Sequence, residues 1–409
     1  MQISLICNSL PGMSAAIVGD TFSRGWNSVR AQGRKDEIRT FHFSHGRKVS
    51  GVAADLPQIL AEYWDLSAKD HALIDVAHCA SWAGGNLVPD ASSGFIGFGL
   101  RELIDSGAQK ILIHLPLFAR CSDAGLGMLM AFADDNCASE IREIETISLA
   151  ERITNISDSL LAQAIANFRE ITKNTQIFIT YSDALPLLGF SGMAKSWMNY
   201  GISAQSAQET EYLIGKIAGR IESLTAARRM LGVPRNMPFS GAGGGLAFLG
   251  SSLGITVSSL TDFLFAAQSY RESVKAAFAQ SDLIFYICAD LGAQIPAGLL
   301  RHSEIAAEAG VPFVLISLKS DLRKGDLPRL GLAGSYHLDS VAPEKSDIDP
   351  RSDGLPAAKS CSHFAANGRI SISSRQGLVD YPGCDFDLSE LVRQNLPALA
   401  RRCAYTWGW

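Results

Sequence analysis

The sequence predicts an α/β protein with mostly parallel sheets and helices on both faces. Three observations predict it. Apolar runs of about six residues, bounded by turn or polar residues, are too short for buried helices and read as strands. Longer segments with helical patterning separate those runs, and such alternation builds parallel sheets joined by crossover helices. At 409 residues the chain also exceeds one ordinary core, so two or three domains are expected.

The first strand is Gln2–Cys7, and a helix over Ser14–Ala31 follows it. A second strand spans Ile38–Phe43. A helix over Phe95–Ser106 leads into "KILIHL" (Lys110–Leu115), and Gly125–Asp134 is helical again. The helix Ser157–Thr172 precedes "QIFITY" (Gln176–Tyr181), and Gln208–Leu231 follows as a long helix. One helix is expected over Ser258–Gln280, capped by Ser258 or Ser259, whose hydroxyls can accept from a first-turn amide. "DLIFYIC" (Asp282–Cys288) and "VPFVLISL" (Val311–Leu318) are strands flanking a helix over Ser303–Ala309, with Gly310 where a left-handed cap belongs. Leu388–Tyr405 forms the last helix. Asp339–Ser360, rich in Pro, Ser and charge, has little to bury and reads as a mobile excursion.

Composition narrows the function. With 36 basic and 41 acidic residues the net charge is −5, so no basic excess exists to neutralise nucleic-acid phosphates. The eight cysteines show neither Cys-x-x-Cys nor zinc spacing, and several lie inside apolar runs, which points to reduced thiols and a cytoplasmic location. The first residues lack the basic region of a signal peptide, and no run of about 18 apolar residues suggests a membrane span. His78 and His114 sit beside apolar runs and read as core histidines rather than ligands.

The stretch "PFSGAGGGLAFLG" (residues 238–250) places four glycines within five residues, directly before an apolar segment. A helix N-terminus offers unpaired amides to an anion, and glycines let the backbone come close to it. Yet the stretch lacks the Lys-Ser/Thr of a P-loop, has Leu246 in place of a dinucleotide fingerprint's third glycine, and follows no clear strand. A phosphate cradle and a tight structural turn both remain open.

Five segments, taken in order, resemble the type I glycerate kinase family, bacterial enzymes that phosphorylate glycerate with ATP. The family's glycine-rich element, roughly P-G-A-G-A-A-G-G-L-G, is similar to "FSGAGGGLA" (Phe239–Ala247). Its opening P-D-S-F-K-G-S-L-S-A is similar to "CNSLPGMSAA" (Cys7–Ala16), and its G-G-S-A-T-N-D-G-G-A-G-M-L to "LFARCSDAGLGML" (Leu117–Leu129). A strand followed by C-D-V-x-N-P-L-L-G-x-x-G-A resembles "YSDALPLLGFSGMA" (Tyr181–Ala194), and a terminal helix ending A-R-L-W resembles "LARRCAYTW" (Leu399–Trp407). Order and spacing agree over nearly the whole chain. The resemblance implies two α/β domains with an active site in the cleft between them. One is a flavodoxin-like, doubly wound domain, placed at 73–279. It is inserted into a second α/β domain, 1–72 plus 280–409, that resembles restriction-endonuclease folds.

The resemblance also implies ATP and Mg2+ as cofactors and a small anionic metabolite as partner. Neither nucleic acid nor membrane is expected as a partner, and homo-oligomer formation is left open. Phosphoryl transfer needs cations on the phosphate oxygens, donors for the acceptor's carboxylate, and a group that orients the attacking hydroxyl. Asp123 and Asp183 are the surviving candidates for catalysis, and no metal ligand is assigned. Ser240, Gly241, Gly243, Gly244 and Gly245 would hold phosphate. Ser9, Gly12, Arg47, Lys48 and Arg120 would contact substrate. Plainer readings stand beside these: Asp123 as a helix cap, Asp183 as a turn residue, and the three cations as a solvated face.

Several family positions are changed. Asn8 stands for the family's Asp and Pro11 for its Lys, and "FSHGRKVSG" (Phe43–Gly51) replaces an acidic element with His45, Arg47 and Lys48. In "CADLGAQIPAG" (Cys288–Gly298) the family's Glu and Arg are missing. The expectation is therefore a glycerate kinase-like phosphotransferase or, alternatively, a degenerate homologue with a binding or regulatory role. A nicotinamide-dependent oxidoreductase is disfavoured, because no strand–GxGxxG–helix unit is present.

Overall fold

A computed structural model describes residues 1–8, 10, 13–30, 36–42, 68, 70–76, 91–116, 121–133, 148–181, 184–200, 202–225, 233–291, 295, 297–320, 322–338 and 385–408. In chain order the elements begin with β1 (Gln2–Cys7), α1 (Ala15–Asn27) and β2 (Glu37–His42). There follow β3 (His71–Asp75), α2 (Gly94–Asp105), β4 (Lys110–Leu115), α3 (Leu126–Met130), α4 (Leu149–Asn155), α5 (Asp158–Thr172) and β5 (Gln176–Tyr181). Next come α6 (Met193–Ser196), α7 (Ala204–Thr225), α8 (Leu246–Leu253), β6 (Thr256–Ser259), α9 (Leu260–Ala266) and α10 (Gln268–Ala279). The last are β7 (Leu283–Leu291), α11 (Ala297–Ala309), β8 (Phe313–Ser320), β9 (Gly334–His337) and α12 (Asp385–Trp407).

The chain forms two compact units, Met1–Phe43 with Val274–Trp409, and Ser44–Ser273. These divide at 43/44 and 273/274, where the sequence alone puts the divisions at 72/73 and 279/280.

The first unit holds a parallel sheet in the order β2-β1-β7-β8-β9. From β1 the chain winds to β2 on one side, and β7, β8 and β9 follow on the other. The winding direction reverses between β1 and β7, which makes their carboxyl ends a topological switch point. Alternate residues of the strands, including Leu5, Phe285 and Ile316, are buried with Phe22 and Trp26 of α1 and Val392 and Leu396 of α12. Phe22, Trp26 and Phe285 meet ring to ring, with centroids 5.0 to 6.1 Å apart. On the other face Tyr286 lies beside His302 of α11 and Phe313 of β8.

The second unit holds a parallel sheet in the order β3-β4-β5-β6, the order of the chain itself. Ile74, Ile113, Leu115 and Ile179 share its core with Leu129 of α3, Phe168 of α5, Ile217 of α7 and Phe248 of α8. Serines open several helices. Ser157 Oγ accepts from the Leu160 amide, and Ser148 and Glu151 form a reciprocal capping box on α4.

Three expectations change. Ser258–Gln280 is a short strand and two helices, because Ser259 Oγ accepts from Asp262 N–H at 2.9 Å and starts α9 there. Ala267 then turns extended (φ −70°, ψ 110°), letting Phe265 and Tyr270 meet edge to face across the break. The helix expected at Gly125–Asp134 is only Leu126–Met130. The strands β3, β6 and β9 are additions. The segment 339–360 lies outside the described residues.

Candidate functional site

The glycine run sits where the carboxyl ends of β4 and β5 meet the turn 121–125. Upstream, the single-turn helix Pro234–Asn236 is pinned by Arg235, whose guanidinium and backbone amide both bond the buried Glu222 carboxylate of α7. Ser240 Oγ donates to the Met237 carbonyl at 2.7 Å and accepts from Leu187 N–H at 3.0 Å. The amides then turn inward. Gly241 N–H bonds Leu185 O (2.6 Å), Ala242 N–H bonds Phe239 O (2.9 Å), Gly243 N–H bonds Pro116 O (2.9 Å) and Gly245 N–H bonds Gly241 O (3.2 Å).

Glycine is required here by both conformation and space. Gly243, Gly244 and Gly245 have φ of +62°, +74° and +90°, which a Cβ disfavours. A Cβ on Gly241 would lie 2.5 Å from Pro186 O, and one on Gly244 only 1.9 Å from Cys121 O. The backbone approaches closely, but what it approaches is the protein's own backbone. Every residue from Ser240 to Gly250 is buried.

Asp123 belongs to the same structure. Its neighbour Ala124 donates N–H to Gly244 O at 3.2 Å, and Cys121 Sγ lies 3.6 Å from Gly243 O. The Asp123 side chain is 0% exposed. Oδ2 accepts from Ser93 N–H and Gly127 N–H, both at 2.9 Å, and Oδ1 from Gly125 N–H at 3.1 Å. Arg152, itself buried, brings Nη1 to 3.6 Å of Oδ2. One carboxylate thus closes the start of α3 and ties it to the turn that opens α2. Burial, with the Asp123 charge added, pushes the Cys121 thiol far above its ordinary range, so it is inert as a nucleophile. At the rim Tyr181 and Phe239 stack at 4.9 Å, and burial followed by the Asp262 charge pushes the Tyr181 phenol up to about 12.

A model of the glycerate kinase family matches residues 40–348 of this chain. The chain belongs to that family. The crystal structure of "putative glycerate kinase 2" from Salmonella typhimurium LT2 is similar in fold, with a TM-score of 0.55 at 14% identity, covering 99% of this chain and 98% of that one. No curated protein matches the sequence.

For this glycerate kinase family member, the structure brings Asp123 together with Ser240, Gly241, Gly243, Gly244 and Gly245. Asp183, Ser9, Gly12, Arg47, Lys48 and Arg120 lie outside the described residues. The described part of the site fits neither nucleotide phosphate nor Mg2+. The run's amides at 241, 242, 243 and 245 already serve carbonyls, and Asp123 has no open face. Among the described residues no three His, Cys, Asp or Glu side chains are grouped to hold a metal, and no helix is long and apolar enough to cross a membrane. His114 is fully buried with Nδ1 2.9 Å from Thr180 Oγ1, as a core histidine would be.

One residue of the chain has a geometry that sequence reasoning missed. Asn8, the first residue beyond β1, donates both its backbone N–H (3.0 Å) and Nδ2 (2.8 Å) to Ile287 O of β7. Its Oδ1 is buried and has no hydrogen-bond partner among the described residues. In the sequence Asn8 signals only the loss of a family carboxylate.

Proposed function

We propose that this chain is a glycerate kinase-like phosphotransferase that moves a phosphoryl group from ATP to a hydroxyl of glycerate or a similar small hydroxy acid. The match of residues 40–348 to the family carries this reading. On it, Asp123 acts by position: it fixes the turn that packs on the glycine run and leaves contact with substrate to other groups. Asp183, two residues beyond β5 in sequence, is then the carboxylate assigned to the acceptor hydroxyl. Arg47, Lys48 and Arg120 supply the positive charge that oxygens on phosphate or carboxylate require. ATP and Mg2+ enter as the family's reagents, held by residues other than the 241–245 run.

A second reading, a homologue that binds a small anionic metabolite without transferring phosphate, is favoured by that same run, whose amides at 241, 242, 243 and 245 are already engaged. Incubating the purified chain with Mg·ATP and D-glycerate, and assaying phosphoglycerate against an Asp183→Asn control, separates the two. Product above the control is expected. Its absence across a panel of hydroxy acids selects the second reading.

A further inference from the structure

We infer that the carboxyl end of the five-stranded sheet, at the turn from β1 toward α1, binds a hydroxyl of a small polyhydroxy compound through Asn8 Oδ1. The inference goes beyond the proposed function, placing a hydroxyl site within the five-stranded unit, and it rests on that reading only for the choice of probe.

Three independent features converge there. The strand order reverses between β1 and β7, and in open parallel sheets ligands settle outside the carboxyl ends at such a point. The register then builds a polar row. Cys7 pairs with Ile287, so Asn8 falls level with Cys288; Cys288 pairs with Ser317, and Ser317 with His337. Side chains in register on parallel strands share a face, so Asn8, Cys288, Ser317 and His337 line one face. The row beneath, Ile6–Tyr286–Leu315, is buried and largely apolar. Ser317 Oγ and His337 Nδ1 bond each other at 3.1 Å.

The third feature is the unpartnered atom. Asn8 is 0% exposed, and its Nδ2 bond to Ile287 O fixes the amide. Turning the amide over would set Oδ1 against that carbonyl, so the free acceptor is a consequence of the fold. An acceptor calls for a donor. A hydroxyl supplies that donor and a phosphate oxygen does not, and the next residues in register along this face are Asp290 and Lys319.

Calorimetric titration of the full chain with D-glycerate, and with glycerol as the uncharged analogue, tests this without nucleotide. Wild type binds D-glycerate; Asn8→Ala weakens that binding about tenfold, the loss of one good hydrogen bond, while its melting temperature shows the variant still folded. Ser317→Ala weakens it about threefold and carries the test if Asn8→Ala does not fold. Affinities within about twofold of wild type in the folded variants overturn the inference and leave the proposed phosphotransfer intact. A wild-type chain that binds neither compound overturns the inference, while the phosphoglycerate assay decides the proposed function separately.

Discussion

After β4, the turn of the four-stranded unit carries a buried carboxylate whose two oxygens accept three backbone amides and face an arginine. After β1, the turn of the five-stranded unit carries a buried amide whose oxygen meets no donor among the described residues. Both are carboxyl-end positions of parallel sheets, where ligand sites gather, and both correspond to an aspartate-bearing or glycine-bearing motif of the family. They differ in what the protein leaves unmet. A buried acceptor without a donor costs roughly 1–3 kcal/mol, and the first turn avoids that cost while the second bears it. Glycine content therefore marks where backbone meets backbone in this molecule, and the inventory of hydrogen bonds marks where a ligand is still wanted.

The largest way to break the comparison is Gly244→Ala. A Cβ there lies 1.9 Å from a backbone oxygen at φ +74°, so a loss of about 4 kcal/mol or failure to fold is expected. Urea denaturation measures it; a loss under about 1 kcal/mol would mean the run is not braced against Cys121. Amide hydrogen exchange asks the same question without substitution. The amides of 241, 242, 243 and 245 should exchange as slowly as those of β4 and be unchanged by Mg·ATP, and protection gained on adding nucleotide would restore the phosphate-cradle reading.

Asp123→Asn comes next, at about 3 kcal/mol, because an amide nitrogen must face donors where a carboxylate oxygen stood, beside buried Arg152. The variant is for that reason a poor control for catalysis: it would lose activity through the fold. A melting temperature equal to wild type would show that the carboxylate is dispensable to the turn and free for chemistry. Gly254→Ala sets the scale for conformation alone. Gly254 ends α8 at φ +82°, and among the described residues nothing comes within 4 Å of where its Cβ would stand, so about 1 kcal/mol is expected. The gap between it and Gly244→Ala measures the close approach.

Much of the fold is legible in the sequence. The runs "QISLIC", "KILIHL" and "QIFITY" are strands over the very residues expected, because six alternating or continuous apolar residues have few other uses. The strands "TVSS" and "GSYH" are four residues long and only partly buried, and too little apolar side chain marks them. Ala267 breaks a helix with neither Gly nor Pro beside it, and the contact of Phe265 with Tyr270 across the break leaves no mark in the local pattern. At the candidate site, local pattern leaves cap and catalyst open for Asp123, and cradle and turn open for the glycines. Deciding needs Ser93, Pro116 and Leu185, residues distant in sequence. Asn8 is the clearest case. Which way its amide faces is fixed by the carbonyl of Ile287, 279 positions away, and no local pattern carries that.

The smallest expected effect is the most discriminating. Asn8→Ala removes one neutral hydrogen bond to Ile287 O, worth about 1 kcal/mol, and at the same time removes an acceptor whose burial costs about as much. The two nearly cancel, so the melting temperature should move by no more than about 2 °C, although Asn8 is as fully buried as Asp123. If Oδ1 were instead satisfied within the folded chain, only the loss would remain, and the variant would melt about 4 °C lower or more. Near-equal burial with unequal cost is what separates a polar group placed to hold the fold from one placed to meet something else.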